Sequence, residues 1–173
     1  MNKFADKIEQ HVDELATLES EDNGKQYADA CGDIMFSSIM LRYYAGKAMD
    51  IKGISSMRDN MGMYNNSYIY TRQEPIGVCG LITPWNYPLL MTMFKVAPML
   101  ASGCTGVSKI PELTPLSSLR LIELWHEIEG VVPGVWNMVP GIGAEAGEAL
   151  VQHPDVRKIA FTGSTAIGKH IGA

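Results

Sequence analysis

Residues 76–88 read IGVCGLITPWNYP, an apolar run followed at once by a turn between two prolines. The run has the length and composition of a buried strand. Pro84 and Pro88 fix the backbone angle φ and remove two hydrogen-bond donors, so they make the turn rigid. The turn therefore presents one large aromatic side chain, Trp85, and one side-chain amide, Asn86, in a fixed arrangement.

The amide of Asn86 has two interpretations. Its NH₂ group can donate to a carbonyl oxygen and stabilise the negative charge that develops when that carbonyl is attacked. Alternatively, Asn86 caps a helix that begins near Leu89. Taken alone, the turn favours the cap, and only the motifs downstream favour the first interpretation.

The composition is that of a soluble globular protein, with 173 residues of which 46% are hydrophobic and 19% charged. The net charge of −5 and the lack of a basic cluster interleaved with aromatic residues argue against a nucleic-acid partner. No apolar run is long enough to span a membrane, and the first residues do not form a secretory signal. The sequence thus predicts no membrane association.

The cysteines Cys31, Cys79 and Cys104 match neither a Cys-x-x-Cys redox pair nor a zinc site, and the four histidines are scattered. We therefore predict no metal site. Cys79 and Cys104 lie in apolar segments and are interpreted as small buried hydrophobic residues. An odd and sparse cysteine count suits a reducing compartment, so the expected location is cytoplasmic.

The spacing of hydrophobic residues along the chain changes near Tyr70. Before this point, apolar residues recur at spacings of three and four with charges between them, which is typical of amphipathic helices. The first helix is predicted to end at Asn23-Gly24, and a second to run from Ala28 to about Met49.

Two shorter segments complete this part of the chain. Residues 53–66 are polar and poorly periodic, which predicts a loop, and residues 68–72 predict a short exposed strand. We therefore expect residues 1–70 to form an N-terminal helical segment with a short strand, and residues 71–173 to form a partial Rossmann-like nucleotide-binding domain.

Strands and helices alternate after residue 75. The predicted strands cover residues 77–83, 105–109, 135–139 and 156–161, and the predicted helices cover residues 89–101, 115–127, 143–152 and 164–172. This pattern predicts an α/β fold, a Rossmann-like parallel sheet with helices on both faces. Right-handed crossovers place every strand-to-helix turn at one edge of such a sheet, where these folds bind ligands.

Two of these turns suggest nucleotide contacts. Lys109 and Glu112 follow the second strand, and they can donate to and accept from the two hydroxyls of a ribose, or form only a salt-bridged loop. The turn at residues 140–147, PGIGAEAG, misses the Gly-x-Gly-x-x-Gly fingerprint by one residue. Gly141 is therefore expected in a tight turn that lines a nucleotide pocket, and not in a pyrophosphate loop.

The last turn, at residues 161–168, reads FTGSTAIG. Gly163 lets the backbone approach a ligand closely, and Ser164-Thr165 lead into a helix whose free N–H groups can bind an anion. Phosphate binding and a plain N-cap are both open interpretations.

Together these stretches resemble consecutive blocks of the NAD(P)-dependent aldehyde dehydrogenase superfamily, in order and in spacing. The blocks are EPIGV at residues 74–78, PWNYP at 84–88, KIPELTPL at 109–116, PGVWNMVPG at 133–141 and FTGSTAIG at 161–168. The stretch LATLESEDNGK at residues 15–25 is also similar to the N-terminal region of that family. The resemblance covers nearly the whole chain.

The resemblance implies oxidation of a small-molecule aldehyde to a carboxylic acid with NAD. A thiolate attacks the aldehyde, a hydride passes to NAD, and water activated by a glutamate hydrolyses the thioester. Asn86 would then be the side-chain half of the oxyanion hole. Trp85, with Ile82 and Thr83, would line the cofactor channel.

The same resemblance implies contacts to the rest of the cofactor. Lys109 and Glu112 would hold the adenosine ribose, and the carboxylate of Glu112 would repel a 2′-phosphate, which favours NAD over NADP. Gly163 and Ser164 would meet the pyrophosphate, with Ile167 near the adenine. Members of the family are typically homodimers or homotetramers.

The chain departs from the family pattern in two ways. Ile110 stands directly after Lys109, where the family usually has proline, and Pro111 follows, so we expect a looser turn there. Neither Glu-Leu-Gly-Gly nor Gly-Gln-x-Cys, the motifs of the general base and the nucleophile, occurs in this sequence.

We therefore expect a truncated portion of the fold, in which four strands are present and a fifth, in the order 3-2-1-4-5, is not. The first hypothesis is a portion of a working aldehyde dehydrogenase. The alternative is a catalytically inactive fragment or remnant with a partial nucleotide site or a structural role.

Overall fold

The computed structural model describes residues 1–57 and 68–173. The helices are α1 Asn2–Gln10, α2 Val12–Asn23, α3 Tyr27–Ala48, α4 Pro88–Ala101, α5 Leu116–His126, α6 Glu148–Gln152 and α7 Thr165–Ile171. The strands are β1 Ser55–Met57, β2 Tyr68–Tyr70, β3 Val78–Ile82, β4 Thr105–Ile110, β5 Trp136–Pro140 and β6 Val156–Phe161. In these two ranges, no helix combines the length and the apolar character needed to cross a membrane.

The N-terminal region contains three helices, where the sequence predicts two. The first predicted helix is interrupted at His11, whose backbone angles, φ −117° and ψ 22°, are not helical. The ring Nδ1 of His11 donates to the carbonyl oxygen of Lys7 at 2.8 Å, which stabilises this break. The predicted end of the run is confirmed, because Gly24 closes α2 in the left-handed region at φ 82°.

A two-stranded antiparallel sheet follows the helices. The predicted strand is confirmed at Tyr68–Tyr70, whose residues are exposed. The loop predicted for residues 53–66 is wrong at Ser55–Met57, which pairs with that strand, and residues 58–66 lie outside the described part of the chain. Thr71 extends the pairing, since its hydroxyl accepts from the N–H of Ile54 at 2.8 Å. This long-range pairing has no local signal in the polar sequence.

The main sheet has four parallel strands in the order β5-β4-β3-β6. Counted along the chain from β3, this is the order 3-2-1-4, as expected. The fold class is therefore confirmed, a parallel α/β sheet preceded by helices. The helix predicted at residues 143–152 differs, because it begins with one π-helical turn, Gly143–Gly147, in which three successive N–H groups donate to the carbonyl oxygen of Ile142.

Two glycines show that helices cover both faces of the sheet. Gly106 pairs with Cys79, the neighbour of Gly80, so the two glycines face opposite sides. A Cβ at Gly80 would lie 3.0 Å from Cγ of Leu150 on α6, and a Cβ at Gly106 would collide with Sδ of Met99 on α4. A side chain at either position would force its neighbours to move, because the helices lie close to the strands there.

The N-terminal helices share a core with the sheet. Phe4 of α1 packs against Trp125 of α5, with ring centroids 5.2 Å apart, and against Trp136 of β5 at 6.0 Å. The indole Nε1 of Trp136 donates to Oγ of Ser108 at 2.8 Å, and both residues are fully buried. This hydrogen bond satisfies an indole donor that no water can reach.

We predict that Ser108→Ala lowers the free energy of unfolding by about 1–3 kcal/mol, because it leaves the buried Trp136 indole without an acceptor. Ser38→Ala is the matched control. Ser38 is also fully buried, but its hydroxyl donates to the carbonyl of Met35 in its own helix. Urea denaturation of both variants measures the difference, and equal losses would contradict the prediction.

Candidate active site

A cavity of about 920 Å³ lies at the carboxyl ends of the four parallel strands. Each strand contributes the residues that follow it. The cavity is lined by Ile82, Thr83, Pro84, Trp85, Asn86, Lys109, Pro111, Glu112, Leu113, Gly143, Ala144, Gly147, Glu148, Val151, Phe161, Thr162, Gly163, Ser164, Ile167, His170 and Ile171. Its position is the one at which open parallel α/β sheets bind ligands.

Nine of the ten site residues that we predict from the sequence border this cavity. They are Ile82, Thr83, Trp85, Asn86, Lys109, Glu112, Gly163, Ser164 and Ile167. Gly141 does not border it. A Cβ at Gly141 would lie 2.8 Å from Cβ of Ala146, so this glycine permits the tight turn into the π-helical segment. Gly143, Ala144 and Gly147 form the cavity wall in its place.

Asn86 does not cap the helix that follows it. Helix α4 begins at Pro88, its N-cap residue is Tyr87, and no side chain of that residue bonds to the first turn. Trp85 and Asn86 are exposed to the cavity, and Trp85 is 58% exposed. The turn is held through the carbonyl oxygen of Trp85, which accepts from Asn23 Nδ2 at 2.6 Å and from Thr114 Oγ1 at 2.8 Å.

Lys109 and Glu112 form an ion pair on the cavity wall. Nζ of Lys109 lies 3.5 Å from Oε2 of Glu112. The lysine side chain is 6% exposed and the glutamate side chain is 43% exposed, so the glutamate is nearer to solvent. Ile110, where proline is usual in the family, belongs to β4 and is fully buried. The Lys109–Glu112 ion pair therefore forms although isoleucine stands where the family usually has proline.

Gly163 and Ser164 carry β6 into α7. A Cβ at Gly163 would lie 2.5 Å from Cζ of Phe161, so a side chain there would force the Phe161 ring, which borders the cavity, to move. Oγ of Ser164 accepts from the N–H of Ile167 at 3.4 Å, which is an N-cap. Ser164 therefore caps the helix and borders the cavity.

Two further polar contacts lie outside the sequence prediction, one between residues that line the cavity and one that reaches its wall through Thr162. Glu148 of α6 accepts from Nε2 of His170 on α7 at 2.9 Å, and this hydrogen bond lowers the pKa of Glu148. Lys95 of α4 is 8% exposed, and its Nζ donates to Oγ1 of Thr162 at 2.6 Å. Lys95 stands within an apolar helix, and that isolated charge is the only local signal that it has a partner.

The fold and the cavity define a doubly wound α/β protein with its ligand site at the carboxyl edge of the sheet. The family model described as "Aldehyde dehydrogenase family" matches residues 1–173. The chain therefore belongs to the aldehyde dehydrogenase family.

Individual relatives agree with this assignment. An aldehyde dehydrogenase of Enchytraeus buchholzi is 49% identical over 170 residues, which is 98% of this chain and 33% of that protein. The structure of an aldehyde dehydrogenase from Bacillus cereus in complex with NAD⁺ matches with a TM-score of 0.91 at 48% identity, over 99% of this chain and 34% of that one. PnpE of Pseudomonas sp. WBC-3 in complex with nicotinamide adenine dinucleotide matches with a TM-score of 0.92 at 46% identity. The match covers 98% of this chain and 34% of PnpE. The chain thus spans about a third of the length of the relatives it matches.

Lys95 generates a prediction about pH. Burial lowers the pKa of Lys95 to about 8, whereas an unfolded lysine titrates near 10.4. Between these values the unfolded chain binds more protons than the folded chain, so folded-state stability rises with pH across this window. Below about pH 8, Lys95 is protonated in both the folded and the unfolded chain, so the folded state carries the full cost of burying the charge.

We therefore expect the free energy of unfolding to increase from about pH 8 to about pH 10 more in the unaltered chain than in Lys95→Met. Urea denaturation at a series of pH values measures this difference. Lys3→Met, at an exposed position on α1, is the matched control and should follow the unaltered chain. An identical pH dependence of the free energy of unfolding in Lys95→Met and the unaltered chain would contradict the lowered pKa of Lys95.

Proposed function

We propose that this chain forms the NAD-binding part of an enzyme that oxidises aldehydes to carboxylic acids, and that Asn86 acts in catalysis. One observation carries the proposal. The cavity brings the Asn86 amide, the Lys109–Glu112 pair and the Gly163-Ser164 turn to the carboxyl edge of one sheet. The relatives that bind NAD share this fold over nearly the whole length of the chain.

The residues at this edge fit a dinucleotide. Gly163 borders the cavity and carries no side chain, which would allow its backbone to approach a phosphate group closely. Lys109 supplies donors and Glu112 supplies acceptors for ribose hydroxyls. We propose that Ile82, Thr83 and Trp85 line the channel toward the nicotinamide, and that Ile167 lies near the adenine. When bound, NAD would supply the hydride acceptor.

Asn86 is proposed to stabilise the oxyanion that forms when a nucleophile attacks the aldehyde carbon. Its amide NH₂ is a neutral donor, and its exposure in the cavity leaves it free to meet a substrate oxygen. A donor aimed at developing negative charge accelerates acyl-transfer chemistry because it favours the transition state over the bound aldehyde.

The cysteines of this chain are not suited to act as the nucleophile. Cys104 precedes β4 and Cys79 is the second residue of β3, so both lie toward the amino edge of the sheet. A six-residue strand such as β4 is about 20 Å long, and the cavity lies at its other end. Burial raises the pKa of Cys79 to about 11, which keeps it a thiol at neutral pH. Cys31, on α3, does not border the cavity either.

This position of the cysteines favours a second candidate, a catalytically inactive protein with a partial nucleotide site or a structural role. Binding of NAD without turnover by the chain as given fits both candidates. The two are separated by joining the chain to a family catalytic region, because only the first predicts that its cavity then supports oxidation.

We also propose a cytoplasmic location, since Cys31, Cys79 and Cys104 are all unpaired. The proposed partners are a small-molecule aldehyde and further copies of the chain in a homodimer or homotetramer. The net charge of −5 gives no basis for binding nucleic acid.

The experiment uses a chimera in which residues 1–173 replace the matching third of the Bacillus cereus aldehyde dehydrogenase. In this chimera, Asn86→Ala should lower kcat roughly 100-fold or more, because it removes an oxyanion donor. The affinity for NAD should change little. Steady-state NADH formation and fluorescence titration with NAD measure the two quantities.

Asn137→Ala is the matched control for Asn86→Ala. Asn137 lies on β5, donates to the carbonyl oxygen of Gly134 at 3.0 Å and does not border the cavity. Its substitution should leave kcat unchanged. Full turnover in Asn86→Ala would remove Asn86 from the proposed mechanism.

A separate prediction concerns cofactor choice. The chimera should prefer NAD to NADP, and Glu112→Ala should narrow this preference about fivefold, as expected when roughly 1 kcal/mol of repulsion toward a 2′-phosphate is removed. The ratio of kcat/KM for the two cofactors measures the effect. Glu21→Ala, on the exposed face of α2, is the control. Equal use of NAD and NADP before substitution would contradict the proposal.

A further inference from the structure

The peptide bond between Trp85 and Asn86 is held from two sides. Its carbonyl oxygen accepts from Nδ2 of Asn23, at 2.6 Å, and from Oγ1 of Thr114, at 2.8 Å. Asn23 is the last residue of α2, and Thr114 lies between β4 and α5. Two donors from separate elements therefore fix one oxygen atom in two directions.

Asn23 is itself held firmly in place. Gly24 takes the left-handed conformation at φ 82° and ends α2 directly beside it. On its other side, Oδ2 of Asp22 accepts from the N–H of Leu116 at 2.8 Å, where α5 begins. Pro115 occupies the N-cap position of α5 and has no side-chain acceptor, so Asp22 supplies one from α2. The end of α2 is thus tied to the start of α5.

Lys25 holds the other side of the same turn. Its Nζ lies 4.4 Å from the ring centroid of Tyr87, a cation–π contact. It also donates to Glu19 Oε1 at 3.0 Å and to Asp33 Oδ2 at 2.8 Å. Burial opposes the charge of Lys25, but the hydrogen bonds to Asp33 and Glu19 outweigh it and raise the pKa of Lys25. Glu19 is fully buried and also accepts from the hydroxyl of Ser117.

These contacts act on Asn86 through its backbone. A peptide unit is planar, so a fixed carbonyl oxygen fixes the plane that leads into the Asn86 nitrogen and Cα. Pro84 restricts the backbone just before this unit, and Pro88 follows it. The Asn86 side chain is exposed in the cavity, so its direction depends on the backbone that carries it.

We propose that Asn23 and Thr114 are positioning residues that orient the Asn86 amide toward the substrate oxygen. This inference rests on the oxyanion role proposed for Asn86. A displacement of about 1 Å in a catalytic group can lower a rate 100-fold, so loss of either donor should be visible in turnover. Neither residue borders the cavity, so neither is expected to touch the substrate or the cofactor.

The experiment measures kcat and NAD affinity in the chimera defined above. Asn23→Ala and Thr114→Val should each lower kcat about tenfold, because one donor of two remains. The dissociation constant for NAD should change less than about twofold. Thr114→Ser keeps the hydroxyl and should restore most of the turnover. Thr17→Val is the matched control, since its hydroxyl donates to the carbonyl of Asp13 on the surface of α2 and should have no effect.

A double-mutant cycle separates positioning from general stability. In an Asn86→Ala background, Asn23→Ala should reduce kcat by less than about twofold, because the group it orients is gone. An equal loss in both backgrounds would overturn the proposal and assign Asn23 a purely structural role. A loss of NAD affinity that parallels the loss of kcat would overturn it as well.

The outcomes also distinguish this inference from the proposed function. If Asn86→Ala lowers kcat while Asn23→Ala and Thr114→Val do not, the positioning proposal fails and the oxyanion role stands. If Asn86→Ala keeps full turnover, the oxyanion role fails, and the positioning proposal fails with it. If Asn23→Ala does not fold, the contrast between Thr114→Val and Thr114→Ser decides, and equal kcat in those two variants would overturn the proposal.

Discussion

One row of paired residues across the sheet sets the level at which the residues of the cavity meet. Ile82 pairs with Lys109 on one side and with Phe161 on the other, and Lys109 pairs in turn with Val139. Because the strands are parallel, this row puts all four carboxyl ends at one level, and the turns that follow converge on one cavity. Gly80, two residues before Ile82, leaves room beside this row, because a Cβ there would lie 2.6 Å from Cδ1 of Ile159 and 3.0 Å from Cγ of Leu150 on α6.

Much of this arrangement can be predicted from local sequence. Apolar strands alternating with helices predicted a parallel sheet, and the resemblance to the family predicted its strand order. The turns after the strands, read together with that resemblance, predicted ten site residues, of which nine border the cavity. The errors arise where local pattern carries no information. His11 breaks a periodic helical run, and residues 55–57, within a largely polar segment, become a strand through distant pairing. Gly141 lies where a Cβ would meet Ala146 of its own turn, and it does not border the cavity.

The interactions that hold the Trp85-Asn86 turn were also beyond sequence reasoning. Asn23 lies 62 residues before Trp85, and the Asn-Gly pair at residues 23–24 predicts only the end of a helix. A buried carboxylate such as Glu19 needs partners to offset its desolvation, but the sequence does not say that Lys25 and Ser117 provide them. Such pairings depend on how helices dock, and docking is a property of the folded chain.

The contact between Asn23 and Trp85 bears on how sequences of this kind can be exchanged in evolution. Judged from the sequence, the boundary near Tyr70, where the spacing of hydrophobic residues changes, is a natural point for recombination between related genes. A crossover there would combine an α2 from one parent with a cavity turn from another, and it would also divide the Phe4–Trp136 packing. The acceptor at Trp85 is a backbone carbonyl, so descendants would keep this support of the turn only where the parent that supplied α2 carried a side-chain donor such as Asn23. The N-terminal helices and the sheet should therefore be inherited as one block.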